Sequence, residues 1–116
     1  MLKKEYRLKK KYQFNYTFKN AQSCGSRHLV ICYTPSNNKN IKIGLAVSKK
    51  VGKAFMRNKI KRRIRSAIAP HLLNLKPKFN LIIVARPNIV DALYQDIESE
   101  LNYLLKKANL FNEKSN

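Results

Sequence analysis

Residues 49–65, KKVGKAFMRNKIKRRIR, contain nine lysines and arginines and no acidic residue, yet their apolar residues recur at helical spacing. At about 100° per residue, one stripe of an amphipathic helix contains Met56, Ile60, Ile64, Ala67 and Ile68. The rest of that helix is basic, and like charges one turn apart repel each other. The chain must therefore fold so that the apolar stripe packs on a core while the basic face stays open to an anionic partner.

The charge of the whole chain is equally one-sided. Twenty lysines and arginines lie between Glu5 and Asp91 without one intervening carboxylate, and the formal net charge is +19 on 116 residues. An ordinary solvated surface would intersperse acidic residues among the basic ones. A strongly basic domain of this kind predicts a nucleic-acid partner. The later acidic residues cluster near the C-terminus, in a helix expected to face away from the ligand.

Composition predicts one folded domain, residues 1–111, followed by a polar tail, residues 112–116. A hydrophobic content of 44% is enough for a core. No apolar run is long enough for a membrane span, and the N-terminal residues do not resemble a signal peptide, so we expect a cytoplasmic protein without membrane association. Cys24 and Cys32 lack the spacing of a disulfide framework or a zinc site and are interpreted as reduced thiols.

Turn signals divide the chain into recognisable elements, one of them at Cys24-Gly25-Ser26. Apolar patterning predicts strands at residues 29–33, 41–47 and 81–85. The loop 36–40 is short enough to join the first two of these strands as an antiparallel hairpin. Residues 8–19 mix basic and aromatic side chains, and their ambiguous period fits a short helix that gives way to a strand.

Two longer helices complete the predicted fold. The basic helix runs from about Gly52 to the neighbourhood of Pro70. The last helix has Asn88 as its predicted N-cap, and its core stripe contains Val90, Leu93, Tyr94, Ile97, Leu101, Leu104 and Leu105. The predicted class is α+β, a single-domain sandwich of one mostly antiparallel sheet with packed helices in the order α-β-β-β-α-β-α.

The sequence contains no recognisable catalytic constellation. It has no Walker loop, no GxSxG motif and no paired His/Glu motif. Two-metal phosphoryl chemistry needs carboxylates, which the basic region lacks. We therefore predict no catalytic residue and no metal ligand, and if the protein takes part in phosphodiester cleavage, nucleic acid must hold the metal.

One motif in residues 47–65 is similar to the signature of the bacterial ribonuclease P protein component. A strand ends in Ser48-Lys49-Lys50, Gly52-Lys53-Ala54 follows, and the helix then carries R-N-K-I-K-R-R-I-R from Arg57 to Arg65. Only Lys59 departs from the family pattern, where arginine is usual; the charge remains, but the bidentate guanidinium is lost. The resemblance extends over nearly the whole chain, through the segments RLKK, LVICY and LIIVAR.

The resemblance implies a protein subunit that binds a catalytic RNA and promotes endonucleolytic removal of the 5′ leader of precursor tRNA. The RNA would carry the catalysis, with Mg²⁺ held by the RNA and the substrate, and no obligate protein partner is implied. It also implies a left-handed crossover through the basic helix. The residues expected to contact the RNA subunit are Lys53, Arg57, Asn58, Lys59, Lys61, Arg62 and Arg65. Whether Lys61 approaches the substrate instead is left open.

The same resemblance implies a cleft between the sheet and the N-terminal helix for the single-stranded leader. Phe14 and Phe18 match its aromatic positions, where a ring would stack on a base of any sequence. The alternative, in which both rings pack into the core, stays open. A third aromatic position aligns with Cys32, and alternation would direct the neighbouring Tyr33 to the opposite face. Further candidates for leader phosphates are Lys49, Lys50 and Arg86.

Three other classes of protein share part of this sequence pattern. A ribosomal or other rRNA-binding structural protein would explain the size and charge but not the ordered motif. A membrane-active cationic helix would need a wide apolar face and no surrounding fold. A helix-turn-helix DNA-binding protein would need a helix, not the predicted strand 41–47, immediately before the basic helix.

Overall fold

A four-stranded sheet forms the centre of the protein, which a computed structural model describes over residues 2–112. The elements in chain order are α1 (Lys11–Asn20), β1 (Gln22–Gly25), β2 (Leu29–Pro35), β3 (Lys42–Ala46), α2 (Ala54–Ile68), β4 (Phe79–Ala85) and α3 (Tyr94–Lys107). Short 3₁₀ turns connect several of them. This order agrees with the predicted α-β-β-β-α-β-α sandwich. The predicted tail 112–116 lies, except for Asn112, outside the described residues.

The strands lie side by side in the order β1-β2-β4-β3. The pairs β1/β2 and β2/β4 are antiparallel, whereas β3 and β4 are parallel. The predicted hairpin between β2 and β3 is therefore wrong, because β4 lies between these two strands. The parallel pair needs a crossover connection, which α2 supplies. The left-handed sense of that crossover stays a prediction.

One face of the sheet carries the main hydrophobic core. Helices α2 and α3 pack there, and the predicted stripe of α2 is confirmed because Ile60, Ile64, Ala67 and Ile68 are buried. From the sheet and α3, the fully buried members of this core include Leu29, Ile31, Leu81, Ile83, Ile97, Leu101, Leu104 and Leu105. The basic residues of α2 are thereby directed away from the core.

The opposite face of the sheet is partly covered by α1. Asn80 of β4 donates from Nδ2 to Thr17 Oγ1 of α1 at 3.1 Å, and Thr17 is fully buried. Ile82, two residues further along β4, is also fully buried on this face. Because α1 is only ten residues long, it leaves part of the face open.

The N-terminal helix differs in one respect from the prediction for residues 8–19. Gln13 Oε1 accepts the backbone N–H groups of Lys9 and Lys10, which starts α1 there. No strand follows inside that segment; the strand is β1, and it includes the predicted turn residues Cys24 and Gly25. Backbone pairing with β2 outweighs the weak turn signal, and the chain turns only after Gly25.

The predicted start of α3 is also wrong. A 3₁₀ turn occupies Pro87–Asp91, and Asn88 donates from Nδ2 to Arg27 O at 3.2 Å instead of capping a helix. The helix starts after Leu93, whose backbone N–H donates to Asp96 Oδ2 at 2.9 Å. Val90 and Leu93 consequently lie outside the core, with 39% and 63% of their surface exposed.

Glu100 of α3 holds the turn between β1 and β2 against the helix. Its Oε1 accepts from Ser26 Oγ and from the backbone N–H of His28 at 2.8 Å, while Oε2 lies 2.6 Å from His28 Nδ1. Partial burial alone would raise the pKa of this carboxyl. The hydrogen bonds from Ser26 and His28, with the charge of His28, outweigh burial and lower the pKa below its ordinary value of 4.5.

A pH dependence of stability follows from this lowered pKa. The carboxylate stabilises the folded state above its unfolded pKa, near 4.5, and this contribution is lost as pH falls through the lower folded pKa. We expect Glu100→Gln to lower Tm at neutral pH and to flatten the loss of Tm that wild type shows as pH falls below about 4.5. Thermal denaturation at fixed sulfate concentration measures both effects. Glu98→Gln, at an exposed position of α3, is the control, and a Glu100→Gln profile identical to wild type would contradict the prediction.

Candidate nucleic-acid interface

The start of α2 depends on a glycine that no other residue could easily replace. Gly52 has φ 150°, in a region that side chains disfavour. A Cβ there would also lie 3.3 Å from Met56 Cβ. Arg57 donates from Nε to Gly52 O at 3.1 Å, so this arginine also holds the turn. The Gly-Lys-Ala segment thus sets where the basic helix begins.

The outward face of α2 is basic and open. Of the predicted contacts to the RNA subunit, Lys53, Asn58 and Arg62 are exposed, and Arg57, Lys59, Lys61 and Arg65 are half-buried. Within residues 2–112 the only ion pair joins His28 and Glu100. The charges of α2 are therefore not neutralised by any carboxylate that the structure describes, and they remain available to phosphate groups.

One flank of α2 borders a cavity that it shares with α1 and the N-terminal segment. Lys61 and Arg65 border a cavity of about 150 Å³ together with Phe14 of α1 and Arg7. Leu8 donates its backbone N–H to Ile43 O at 3.0 Å, which places the N-terminal segment along the edge of β3. Cationic groups from α2 and an aromatic ring from α1 thus meet in one cavity.

Phe14 lies directly on the backbone of the sheet. A Cβ added to Gly44 would lie 2.5 Å from Phe14 Cζ, so the close approach of the ring requires glycine at position 44. Phe14 is half-buried, whereas Phe18, one turn further along α1, is 46% exposed. Phe14 therefore packs against the sheet and also borders the cavity, while Phe18 is largely open. Stacking of either ring on a leader base stays a prediction.

The sheet beside α1 supplies an apolar floor that stays partly exposed. Val30 and Val84 are paired across β2 and β4, Val84 is paired with Ala46 of β3, and all three are half-buried. Cys32 lies on this same face, opposite Ile82. Helix α1 contacts β2 and β4. We use the name α1 cleft for the partly exposed floor together with Phe14 and Phe18 of this adjoining helix.

Tyr33 faces the other side of the sheet, as alternation predicts. Its ring packs against Phe79 with a centroid distance of 6.4 Å, next to the main core. Cys24 pairs with Ile31 and also belongs to that side, so the thiols of Cys24 and Cys32 lie on opposite faces. Burial raises the pKa of both thiols. Cys32, not Tyr33, therefore occupies the cleft side.

Basic residues also gather at one end of the α1 cleft. Because β3 and β4 are parallel, their C-terminal ends meet at the same edge, and the turns Lys49–Val51 and Pro87–Asp91 that follow them are in contact. Lys49, Lys50 and Arg86 are all exposed there. Arg86 donates from Nε to Ser26 O at 2.9 Å, which restricts its side chain.

Two residues near these surfaces were not predicted. Phe55 is 70% exposed on the outward side of α2. An aromatic residue among basic ones is the sequence feature that could have identified it. Arg7 borders the cavity with Lys61 and Arg65. Its segment is too short for periodicity to show which way the side chain points.

Within residues 2–112, the side chains offer no donor set that fits a bound divalent cation. Among the residues that the structure describes, no three His, Cys, Asp or Glu side chains come together in a group that could hold a metal. The dense positive charge would also repel a cation. In the same part of the chain, no helix is both long enough and apolar enough to cross a membrane.

Comparison with known proteins gives a consistent match. The family model for Ribonuclease P matches residues 2–109. The ribonuclease P protein component of Staphylococcus aureus is 40% identical over 118 residues, covering 99% of this chain and 98% of that protein. Its counterpart in Oceanobacillus iheyensis is 37% identical over 116 residues, covering 99% and 96%.

Solved structures show the same fold. The S. aureus RNase P protein superposes with a TM-score of 0.83 at 34% identity, covering 92% of this chain and 98% of that one. The RNase P protein from Thermotoga maritima gives a TM-score of 0.79 at 24% identity, covering 87% and 96%, which supports the fold alone. The predicted family resemblance and α+β class are confirmed.

Proposed function

The chain belongs to the ribonuclease P protein family, and from this premise we propose how its two surfaces serve the protein subunit of ribonuclease P. The ribonucleoprotein is an endoribonuclease that removes the 5′ leader of precursor tRNA, and its RNA carries the catalysis. The observation that supports our assignment is the shared cavity, where Phe14 of α1 meets Lys61 and Arg65 of α2. The alternative, an rRNA-binding structural protein, finds no support among these relatives.

The outward face of α2 is assigned to the RNA subunit. Its exposed Asn58 and Arg62 and the adjacent Lys59 can reach phosphate and sugar oxygens without meeting the rest of the protein. Such contacts orient the protein on RNA without reading sequence. Lys53 at the helix start, Arg57 beside Gly52, and the flank residues Lys61 and Arg65 complete the predicted set. Lys61 and Arg65 also lie near enough to the α1 cleft to contact substrate.

The α1 cleft is assigned to the leader. Its apolar floor and the two phenylalanines provide flat surfaces for bases, which suits a strand whose sequence varies. Lys49, Lys50 and Arg86, at one end of the floor, would neutralise leader phosphates. Cys32 would contribute a small side chain where the family has an aromatic one, leaving room above the floor.

The chemistry of cleavage is assigned to the RNA. When bound, Mg²⁺ would supply the charge that activates water and stabilises the leaving oxygen, and RNA and substrate oxygens would hold it. The protein contributes cationic groups that neutralise phosphates and bring the two RNAs together. We also propose that residues 1–111 act as one RNA-binding domain in the cytoplasm.

Reconstitution tests this function directly. We expect the protein alone to leave precursor tRNA intact and the RNA subunit alone to cleave slowly at low Mg²⁺ concentration. Their mixture should cleave rapidly, because the basic surface replaces part of the counter-charge that Mg²⁺ otherwise supplies. A mixture no faster than RNA alone at any Mg²⁺ concentration would refute the proposal. An unrelated protein of similar net charge controls for nonspecific neutralisation.

Arg62→Ala tests the outward face of α2. Arg62 is exposed and has no hydrogen-bond partner among residues 2–112, so its removal should leave Tm unchanged. Loss of a charged phosphate contact should weaken RNA-subunit binding by about 1.5–3 kcal/mol and reduce the slope of log K against log salt by about one unit. Filter binding over a salt series measures both quantities.

Two further variants are compared with Arg62→Ala in that measurement. Lys106→Ala removes an exposed charge from α3 and should leave the salt slope nearly unchanged. Arg57→Ala should weaken binding and also lower Tm, because it loses the hydrogen bond to Gly52. Equal salt slopes for wild type, Arg62→Ala and Lys106→Ala would exclude this helix face from the RNA interface.

A further inference from the structure

The side of α1 that faces away from the sheet carries two exposed tyrosines. Tyr12 is 67% exposed and Tyr16 is 55% exposed. They lie four residues apart, so their Cβ atoms are neighbours on the helix surface. Thr17, by contrast, marks the sheet-facing side and is fully buried. Neither phenol oxygen has a hydrogen-bond partner within residues 2–112, and the core uses neither ring.

The residues around these rings are lysines and neutral polar side chains. Lys11 and Lys19 flank them on the helix and are exposed, and Lys9 and Lys10 precede it. No acidic residue occurs in α1 or anywhere between Glu5 and Asp91. An aromatic surface edged by cations fits a single-stranded nucleic acid, whose bases stack on rings while its phosphates meet lysines.

We propose that Tyr12 and Tyr16 form a second stacking surface for the leader. This surface would bind leader nucleotides beyond those held in the α1 cleft. This inference rests on the proposed function of the cleft. Helix α1 is the wall of that cleft, and a helix with its side chains is only about 10–12 Å thick. A leader that continues past Phe18 therefore needs few nucleotides to pass around the wall to its outer side. Short leaders would end before reaching the tyrosines.

Leader length provides the test. Holoenzymes containing wild-type protein or the double variant Tyr12→Ala/Tyr16→Ala are compared on precursors with leaders of about four and about twelve nucleotides. We expect the double variant to bind the long-leader precursor about tenfold more weakly, within the range for one or two lost stacks. Binding of the short-leader precursor should change less than about twofold. Tyr12→Phe/Tyr16→Phe keeps both rings and should behave as wild type.

Tyr103→Ala is the matched control, because Tyr103 is 51% exposed on α3, which packs on the other face of the sheet. This variant should change the affinity of the holoenzyme for neither the long-leader nor the short-leader precursor. Unchanged long-leader binding in the alanine double variant would overturn the proposal. The proposal would also be overturned if the alanine double variant lost equal affinity for both precursors or had a lower Tm, because the rings would then serve stability. Weaker binding of the RNA subunit alone would overturn it too, because the rings would then contact that RNA. If the α1 cleft did not bind the leader, Phe18→Ala would leave the affinity for both precursors unchanged, which distinguishes that result from failure of the tyrosine surface.

Discussion

Replacing Phe14 and Phe18 together by alanine is expected to weaken holoenzyme binding of precursor tRNA by roughly 1–3 kcal/mol for each lost base stack. Binding of mature tRNA, which has no leader, should remain as in wild type. The reason is that both rings border the α1 cleft, while the basic face of α2 that we assign to the RNA subunit is untouched. Equilibrium binding of the two tRNAs to the same holoenzyme preparation measures the difference.

The single variants separate stacking from packing. Phe18 is 46% exposed, so Phe18→Ala should reduce precursor binding with little change in Tm. Phe14 packs on Gly44 and is half-buried, so Phe14→Ala should reduce precursor binding and also lower Tm. If Phe18→Ala weakened both tRNAs equally and lowered Tm strongly, the ring would belong to the core and the leader would bind elsewhere.

The isolated protein is expected to be partly unfolded in dilute buffer without multivalent anions, and to fold when sulfate or phosphate is added. A net charge of +19 on 116 residues opposes compaction. Within residues 2–112 only one ion pair offsets it. Anions that bind the folded state alone stabilise it by mass action, so the folded fraction should rise with sulfate concentration. Far-UV circular dichroism during a sulfate titration follows this transition.

Comparing sulfate with sodium chloride shows whether anion binding or charge screening causes the protein to fold. Sulfate should fold the protein at an ionic strength where sodium chloride does not, because site binding depends on the anion whereas general screening depends on ionic strength. A spectrum that is fully folded in dilute buffer and unaffected by sulfate would show that the core alone overcomes the charge repulsion. Identical titrations with both salts would show screening instead of binding.

The basic helix could be predicted from the sequence because its signal is local. Its apolar stripe repeats over several turns, and Gly52 and Pro70 mark its limits, so no distant contact is needed to recognise it. The same holds for the strand around Ile82 and Ile83, whose continuous apolar run fits the full burial of these two residues on opposite faces of the sheet. Spacing also placed Tyr33 and Cys32 on opposite faces.

The errors arose where distant segments decide the structure. Loop length favoured a hairpin between β2 and β3, but β4, more than thirty residues later, pairs with both strands and separates them. The start of α3 was misplaced because Asn88 finds its partner at Arg27, far away in the chain. The cavity joining Phe14, Lys61 and Arg65 likewise depends on packing that spacing alone does not encode.

The position of β4 has a consequence for the order of events during synthesis. Among residues 2–112, strand β3 pairs only with the N-terminal segment and with β4. Strand β4 emerges from the ribosome after the entire basic helix. Translation proceeds at about 5–20 residues per second, so the cationic segment precedes the strand that completes the sheet by at least a second or so. During that interval the nascent chain exposes its charges beside ribosomal RNA before any tertiary scaffold can orient them. Only the pairing of β4 with β2 and β3 then completes the sheet on which α2 packs.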